Sequence, residues 1–151
     1  MNRKPITRIL SLASLILFFL SLTQNCICIS ADCGRYPGWS LLLLGWLEIL
    51  GIGDVGPFVI LSWYANPVLL LTWIFLRTRK RRTALVLACL ALALALSFLL
   101  SKQILASESG IAEPITGYGI GYWLWLGSTL SALLAAASKL ATTADSEPSK
   151  P

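Results

Sequence analysis

The composition of this chain excludes an ordinary soluble domain. It has 151 residues, of which 56% are hydrophobic and only 13% are charged, whereas soluble domains carry about 25% charged residues. In a soluble protein the net charge of +5 would favour nucleic acid as a partner, but the placement of these charges has a better explanation in a membrane, and we predict no nucleic-acid partner. The sequence contains no histidine, so it lacks the commonest general base and metal ligand.

A basic cluster between two long apolar segments sets the predicted orientation. Residues 77–82 hold five positive charges in six positions, and Lys and Arg are enriched in the cytoplasmic loops of membrane proteins. We therefore place this cluster in the cytoplasm. The resulting topology puts ten of the twelve Lys and Arg residues on the cytoplasmic side: Arg3, Lys4, Arg8, Arg77, Arg79, Lys80, Arg81, Arg82, Lys139 and Lys150.

The first apolar segment follows a short basic leader. Residues 6–23 are long enough for a first membrane span. A charged start and a short apolar stretch are also typical of a cleavable signal peptide, and residues 29–31 offer small side chains for a cleavage site. We favour a retained helix because the region before that site is poorly polar and further spans follow.

Two apolar segments of different length precede the basic cluster. Residues 57–76 are long enough to cross a hydrocarbon core of ~30 Å. Residues 39–50 would reach only about 18 Å as a helix, which is too short. If both segments crossed, the basic cluster would lie outside the cell unless the basic leader lay there instead. We therefore predict that residues 39–50 form an interfacial or re-entrant helix on the outer face.

Two further spans complete the predicted topology. The Ala/Leu-rich residues 83–100 return to the outside, and residues 117–140 cross back after a second external loop. Residues 142–151 are rich in Thr, Ser and Pro and are predicted to be disordered. The predicted fold is a single all-α transmembrane domain, a four-helix bundle with both termini in the cytoplasm.

Small residues recur on one face of two predicted spans. Helices in lipid associate where small side chains let their backbones approach closely. Gly117 and Gly121 form a G-x-x-x-G pair in the last span. Four alanines share a face of the third span: Ala84, Ala88, Ala91 and Ala95. We predict that the two faces pack on each other within one chain, and a homodimer interface is the alternative.

Three polar residues within apolar sequence are candidates for a transport site. Asn66 precedes Pro67, whose missing N–H leaves the carbonyl of Trp63 without its helical donor and predicts a kink. The Asn66 amide needs a partner in lipid. Glu48 and Asp54 are the acids within otherwise apolar sequence, and ionisable groups at membrane depth indicate function. Both acids also reach the outer interface in the predicted topology, which gives them a simpler explanation.

The cysteines allow a disulfide and a redox hypothesis. Cys26, Cys28 and Cys33 lie in the predicted external loop, where disulfides persist. One bridge from Cys33 to either Cys26 or Cys28 would leave an odd thiol, and Cys89 is predicted to be an inert apolar residue within a span. Membrane thiol oxidases that reduce quinones use two external cysteine pairs, and the second external loop here contains no cysteine.

Two motifs resemble a pattern found in small uncharacterised bacterial membrane proteins. They are Tyr64-Ala65-Asn66-Pro67, followed by an apolar run and then Arg and Lys, and Gly117-Tyr118-Gly119-Ile120-Gly121-Tyr122-Trp123-Leu124-Trp125. The resemblance covers about residues 57–127 and implies a bacterial inner membrane. It implies no activity and no functional residue, and the sequence carries no recognised catalytic, cofactor or metal-binding motif.

The sequence thus predicts a non-enzymatic inner-membrane protein without a cofactor. Its partners would be the lipid bilayer and, through helix contacts, a second copy or another membrane protein, in an accessory, envelope or immunity role. The first alternative is a small transporter or channel that uses Asn66, Glu48 or Asp54. The second alternative is a membrane thiol oxidoreductase that uses the loop cysteines.

Overall fold

The structure, a computed structural model, describes residues 4–29, 32–45, 57–78, 80–105 and 112–144. This part of the chain is mostly helical and also contains a small β-sheet. Its helices are α1 (Lys4–Thr23), α2 (Gly38–Leu44), α3 (Pro57–Trp63), α4 (Ala65–Arg77), α5 (Arg81–Ser97) and α6 (Ile120–Ala144). Its strands are β1 (Asn25–Ile29), β2 (Asp32–Pro37), β3 (Gln103–Leu105) and β4 (Ala112–Tyr118).

Four helical segments are long and apolar enough to span a membrane. They are Pro5–Thr23, Pro57–Arg77, Arg81–Leu100 and Ile120–Leu140. A 3₁₀ turn at Phe98–Leu100 extends α5 to complete the third of them. The first three lie within two residues of the predicted bounds, because each is a continuous apolar run with basic or polar residues at its ends. The described residues therefore contain four helical segments with the length and composition predicted for the spans.

Small side chains hold the four spans together. Helix α1 packs along α6, and α5 packs between α4 and α6. At one level Ala91 lies with Leu69 of α4 and Ala132 of α6, and none of the three has exposed surface. Nearer the end of α6, Ala88 lies with Ala135. Because these side chains are short, the helix backbones approach closely and gain dispersion contacts that lipid alone would not provide.

The β-sheet corrects the prediction of an all-α fold. Its strands follow the order β2-β1-β4-β3, and every pair is antiparallel. The strands come from the α1–α2 and α5–α6 connections, which leave the bundle at the same end, and Cys28 pairs with Gly117 across them. Strand pairing satisfies backbone groups that would otherwise lack partners beyond the helix ends. Ile and Thr in these segments favour extended structure.

The start and end of the last span also differ from the prediction. Helix α6 begins at Ile120 and not at residue 117, because residues 112–118 form β4. The helix continues to Ala144, so residues 142–144 are helical where disorder was predicted. The remainder of that predicted tail, residues 145–151, lies outside the described residues.

The predicted interfacial helix is represented by α2, which packs at the same end of the bundle as the sheet. This helix begins at Gly38, where an added Cβ would lie 2.4 Å from the carbonyl oxygen of Ser21 in α1. Its seven residues reach about 10 Å, which is too short to cross a membrane. Residues 46–50 of the predicted helix lie outside the described residues.

The second span is interrupted at Tyr64, between α3 and α4. A kink was predicted from Pro67, whose missing N–H frees the carbonyl of Trp63. That carbonyl accepts a hydrogen bond from the side-chain amide of Asn66 at 3.1 Å. Asn66 therefore replaces the lost helical donor, and the interruption lies one turn before the proline.

The bundle has two chemically different ends. The sheet and α2 lie at one end, which we call the sheet end. Helix α4 ends and α5 begins at the opposite end, which carries Arg77, Lys80, Arg81 and Arg82 and which we call the basic end.

Candidate functional site

A cleft of about 680 Å³ opens at the basic end between α1 and α4, and we call it the basic cleft. Helix α1 contributes Arg8 and Ser11 to one wall, and α4 contributes Trp73 and Arg77 to the other. Arg81 of α5 and Lys139 of α6 complete the lining at the end of the bundle. The cleft exists because α1 packs mainly on α6 and α4 mainly on α5, so their facing sides diverge.

A hydrogen-bonded chain closes the floor of the basic cleft. The indole N–H of Trp73 donates to Ser14 Oγ at 2.9 Å, and that hydroxyl donates to the backbone carbonyl of Ser128 at 2.8 Å. Ser14 has no exposed surface. The Trp73 ring also meets Phe18 edge to face, with centroids 5.4 Å apart. These contacts join α1, α4 and α6 below the cleft, so its depth is fixed by packing.

The cations at the cleft have two different roles. Lys139 donates to the carbonyls of Leu76 and Phe75 at the end of α4, where a cation compensates unpaired carbonyl groups and the helix dipole. Arg8 and Arg77 instead lie exposed on opposite walls. Arg81 is partly buried, with Nη1 3.4 Å from the Lys139 carbonyl. Lys139 is thus a structural cap, whereas the two exposed arginines face the opening.

The acidic residues that the structure describes lie far along the bundle from this cleft. Asp32 belongs to β2 and Glu113 to β4, both at the sheet end. The rim of the basic cleft is lined by cationic and hydroxyl-bearing side chains, and its deeper part is lined by apolar side chains. The other five acids lie outside the described residues: Glu48, Asp54, Glu108, Asp145 and Glu147.

The sheet end holds a second, smaller cavity of about 90 Å³. Cys26, Asn66, Tyr122 and Trp125 are among its lining residues. The Tyr122 hydroxyl donates to the carbonyl of Ala95 at 3.1 Å, which ties the start of α6 to α5. Ligand pockets usually measure about 300–1,000 Å³, so this cavity has room for little more than a few water molecules.

Both the nitrogen and the oxygen of the Asn66 amide form hydrogen bonds that hold helices together. Its Nδ2 donates to the Trp63 carbonyl, and its Oδ1 accepts from the Trp125 indole N–H at 3.0 Å. Trp63 Nε1 in turn donates to the carbonyl of Leu42 in α2 at 3.0 Å. This network links α2, the α3–α4 junction and α6. These hydrogen bonds explain structurally why a polar residue, Asn66, lies within the second span.

The bond between Asn66 and Trp125 can be measured with a double-mutant cycle. Asn66→Leu leaves the Trp125 N–H without its acceptor, and Trp125→Phe leaves the Asn66 oxygen without its donor. We expect each change to lower the free energy of unfolding, with a coupling of about 1 kcal/mol between them. Reversible unfolding in mixed detergent micelles measures both. Trp123→Phe is the matched control, since Trp123 is 53% exposed, and strictly additive effects would contradict the bond.

No protein family, characterised protein or solved structure matches this chain. The remaining evidence on function is where the structure places each predicted residue.

The cysteines whose side chains the structure describes differ in their chemical state. Cys28 is disulfide-bonded, whereas Cys26 and Cys89 carry free thiols. Burial raises the pKa of the Cys26 thiol to about 11, so almost none of it is thiolate at neutral pH, and the thiolate is the nucleophile. Cys26 instead packs as an apolar side chain beside α6. The side chain of Cys33 lies outside the described residues.

The predicted glycine pair does not form a helix–helix contact. Gly117 lies in β4 and Gly121 lies in α6, so the two glycines do not share a helix as the predicted G-x-x-x-G pair would. A Cβ at Gly121 would lie 2.7 Å from Cys26 Sγ and 2.7 Å from the Gln24 carbonyl oxygen. This glycine therefore lets β1 pack directly on the first turn of α6.

The remaining predicted residues fall into two groups. The four alanines of α5 have no exposed surface and lie inside the bundle: Ala84, Ala88, Ala91 and Ala95. Glu48 and Asp54 lie outside the described residues.

The basic cleft was not predicted from the sequence, although the spacing of two serines indicates the inward face of α1 beneath it. Ser14 and Ser21 are seven residues apart in an apolar helix, which places them on one face, and both are buried. That spacing marks the face of α1 that packs inward. The cleft itself depends on the divergence of α1 from α4, which no local pattern encodes.

Proposed function

We propose that this protein is a non-enzymatic protein of a bacterial cytoplasmic membrane, that it acts by binding, and that the basic cleft is its binding site. The observation that carries the proposal is the position of Arg8 and Arg77 on opposite walls of a cleft of about 680 Å³. The enrichment of Lys and Arg in cytoplasmic loops supports the proposal that this end of the bundle, with both termini, faces the cytoplasm.

The geometry favours binding over the alternative of transport. A transport role would need Asn66 to exchange partners, yet its amide joins two tryptophans and two helices. The basic cleft differs because the exposed guanidinium groups of Arg8 and Arg77 border an opening of ligand size. A packed bundle with one open, charged side is suited to holding a partner in place.

The proposal is tested by filling the cleft. Ser11→Trp places a large ring between the two walls, whereas Ile16→Trp places the same ring on an exposed part of α1, since Ile16 is 58% exposed and does not line the cleft. Full-length protein is purified from membranes in mild detergent and analysed by native mass spectrometry. We expect a bound species with wild type and Ile16→Trp that Ser11→Trp loses.

Circular dichroism checks that both variants keep their helical content. A bound species retained by Ser11→Trp, or no bound species with any folded variant, would overturn the proposal. The mass of the species separates a lipid from a second copy of the chain or another membrane protein.

A further inference from the structure

We infer that the ligand of the basic cleft is an anionic phospholipid of the cytoplasmic leaflet, held with its phosphate between Arg8 and Arg77. This inference rests on the proposed function, because it names the ligand class of the same site. Basic pockets between membrane helices on the cytoplasmic side are suited to anionic headgroups. Arginine is suited in particular, because its planar guanidinium group binds phosphate oxygens in pairs.

The chemistry of the cleft changes with depth in the order that a phospholipid presents. Arg8 and Arg77 lie at the rim, where a headgroup phosphate would lie. One turn or two deeper, Leu15 of α1 and Trp73 of α4 line the walls, where acyl chains would begin. From Arg8 to Leu15 the helix rises about 10 Å, enough to separate the two zones.

The cations at the basic end differ in whether the protein itself supplies their partners. Lys139 is already occupied by carbonyls of α4, so it fixes the wall and does not depend on a ligand. Asp32 and Glu113, the acids that the structure describes, lie at the sheet end. Within the described chain, therefore, the charge of Arg8 and Arg77 is complemented by no neighbouring carboxylate, and an anionic headgroup would supply that complement.

The size of the cleft favours a lipid over a transmembrane helix. A membrane-spanning helix about 10 Å wide and 30 Å long occupies on the order of 2,000 Å³. The basic cleft measures about 680 Å³, which lies within the range of ligand pockets. A helix from another protein could contact only the outer edges of α1 and α4.

Lipid titration of the purified full-length protein tests the inference. Phosphatidylglycerol and phosphatidylcholine are added separately in detergent, and bound lipid is counted by native mass spectrometry. We expect tighter binding of phosphatidylglycerol. Arg8→Gln and Arg77→Gln should each weaken the binding of phosphatidylglycerol about fivefold, because each variant removes the attraction between one basic side chain and the anionic headgroup. Binding of phosphatidylcholine should not change.

Arg82→Gln is the matched control, because Arg82 is exposed at the same end but does not line the cleft. Equal affinity for the two lipids, or equal effects of Arg82→Gln and Arg77→Gln, would overturn the inference. So would displacement of the lipid by an equal concentration of glycerol 3-phosphate, which would identify a site for soluble phosphate. If the species that Ser11→Trp fails to bind is a protein, the lipid assignment is overturned, but the proposed binding function still holds.

Discussion

Replacing Gly121 with alanine is expected to lower the free energy of unfolding by about 2 kcal/mol. The added Cβ would lie 2.7 Å from the Gln24 carbonyl oxygen and 3.0 Å from that of Asn25. Both are backbone atoms of the segment that enters β1, so relief requires the strand to move away from α6. Overpacking of this kind costs about 1–3 kcal/mol or more, and the helical preference of alanine, about 1 kcal/mol, offsets only part of it.

The same helix provides a control of opposite sign. A Cβ at Gly127 would lie 3.6 Å from Leu17 Cδ1, an ordinary contact, so Gly127→Ala is expected to stabilise the helix by up to about 1 kcal/mol. Gly117→Ala is expected to be nearly neutral, since its Cβ would lie 3.7 Å from Cys28 Cβ. Reversible unfolding in mixed micelles measures all three variants. Equal losses at Gly117 and Gly121 would restore the helix–helix interpretation of the pair.

The spans could be predicted from the sequence because each is set by local composition. Pro57 to Arg77, for example, is bounded by a glycine-rich segment on one side and by the basic cluster on the other. The sheet could not be predicted in this way. Strand β1 pairs with β4, so Ile27 meets Tyr118 far along the chain, and no local periodicity reports such a pairing.

The error at the start of α6 has a specific cause. Gly117, Tyr118 and Gly119 join the following apolar run without a break, so the sequence pattern predicts a single helix. Glycine has a weak preference for helix, and the Gly119 N–H donates to the Cys26 carbonyl at 2.9 Å. A Cβ at Gly119 would lie 2.2 Å from the Asn25 oxygen. Gly119 is therefore required by the approach of β1, which is a tertiary feature.

Replacing Ala91 with leucine is expected to destabilise the monomer by about 2–3 kcal/mol. Ala91 has no exposed surface and lies at the level where α4, α5 and α6 meet, against Leu69 and Ala132. Leucine adds three carbons to a site without room for them, so the helices must separate or the side chains must leave their preferred rotamers. Thermal unfolding in micelles, followed by circular dichroism, measures the loss.

Val86→Leu on the same helix is the matched control. Val86 is 66% exposed, so the larger side chain would extend into lipid and change stability by less than about 0.5 kcal/mol. The pair of variants also separates the two interpretations of the alanine face. If that face packs within one chain, the loss caused by Ala91→Leu is independent of protein concentration. If it joins two copies, Ala91→Leu instead converts a dimer to a monomer in a cross-linking assay, and the loss depends on concentration.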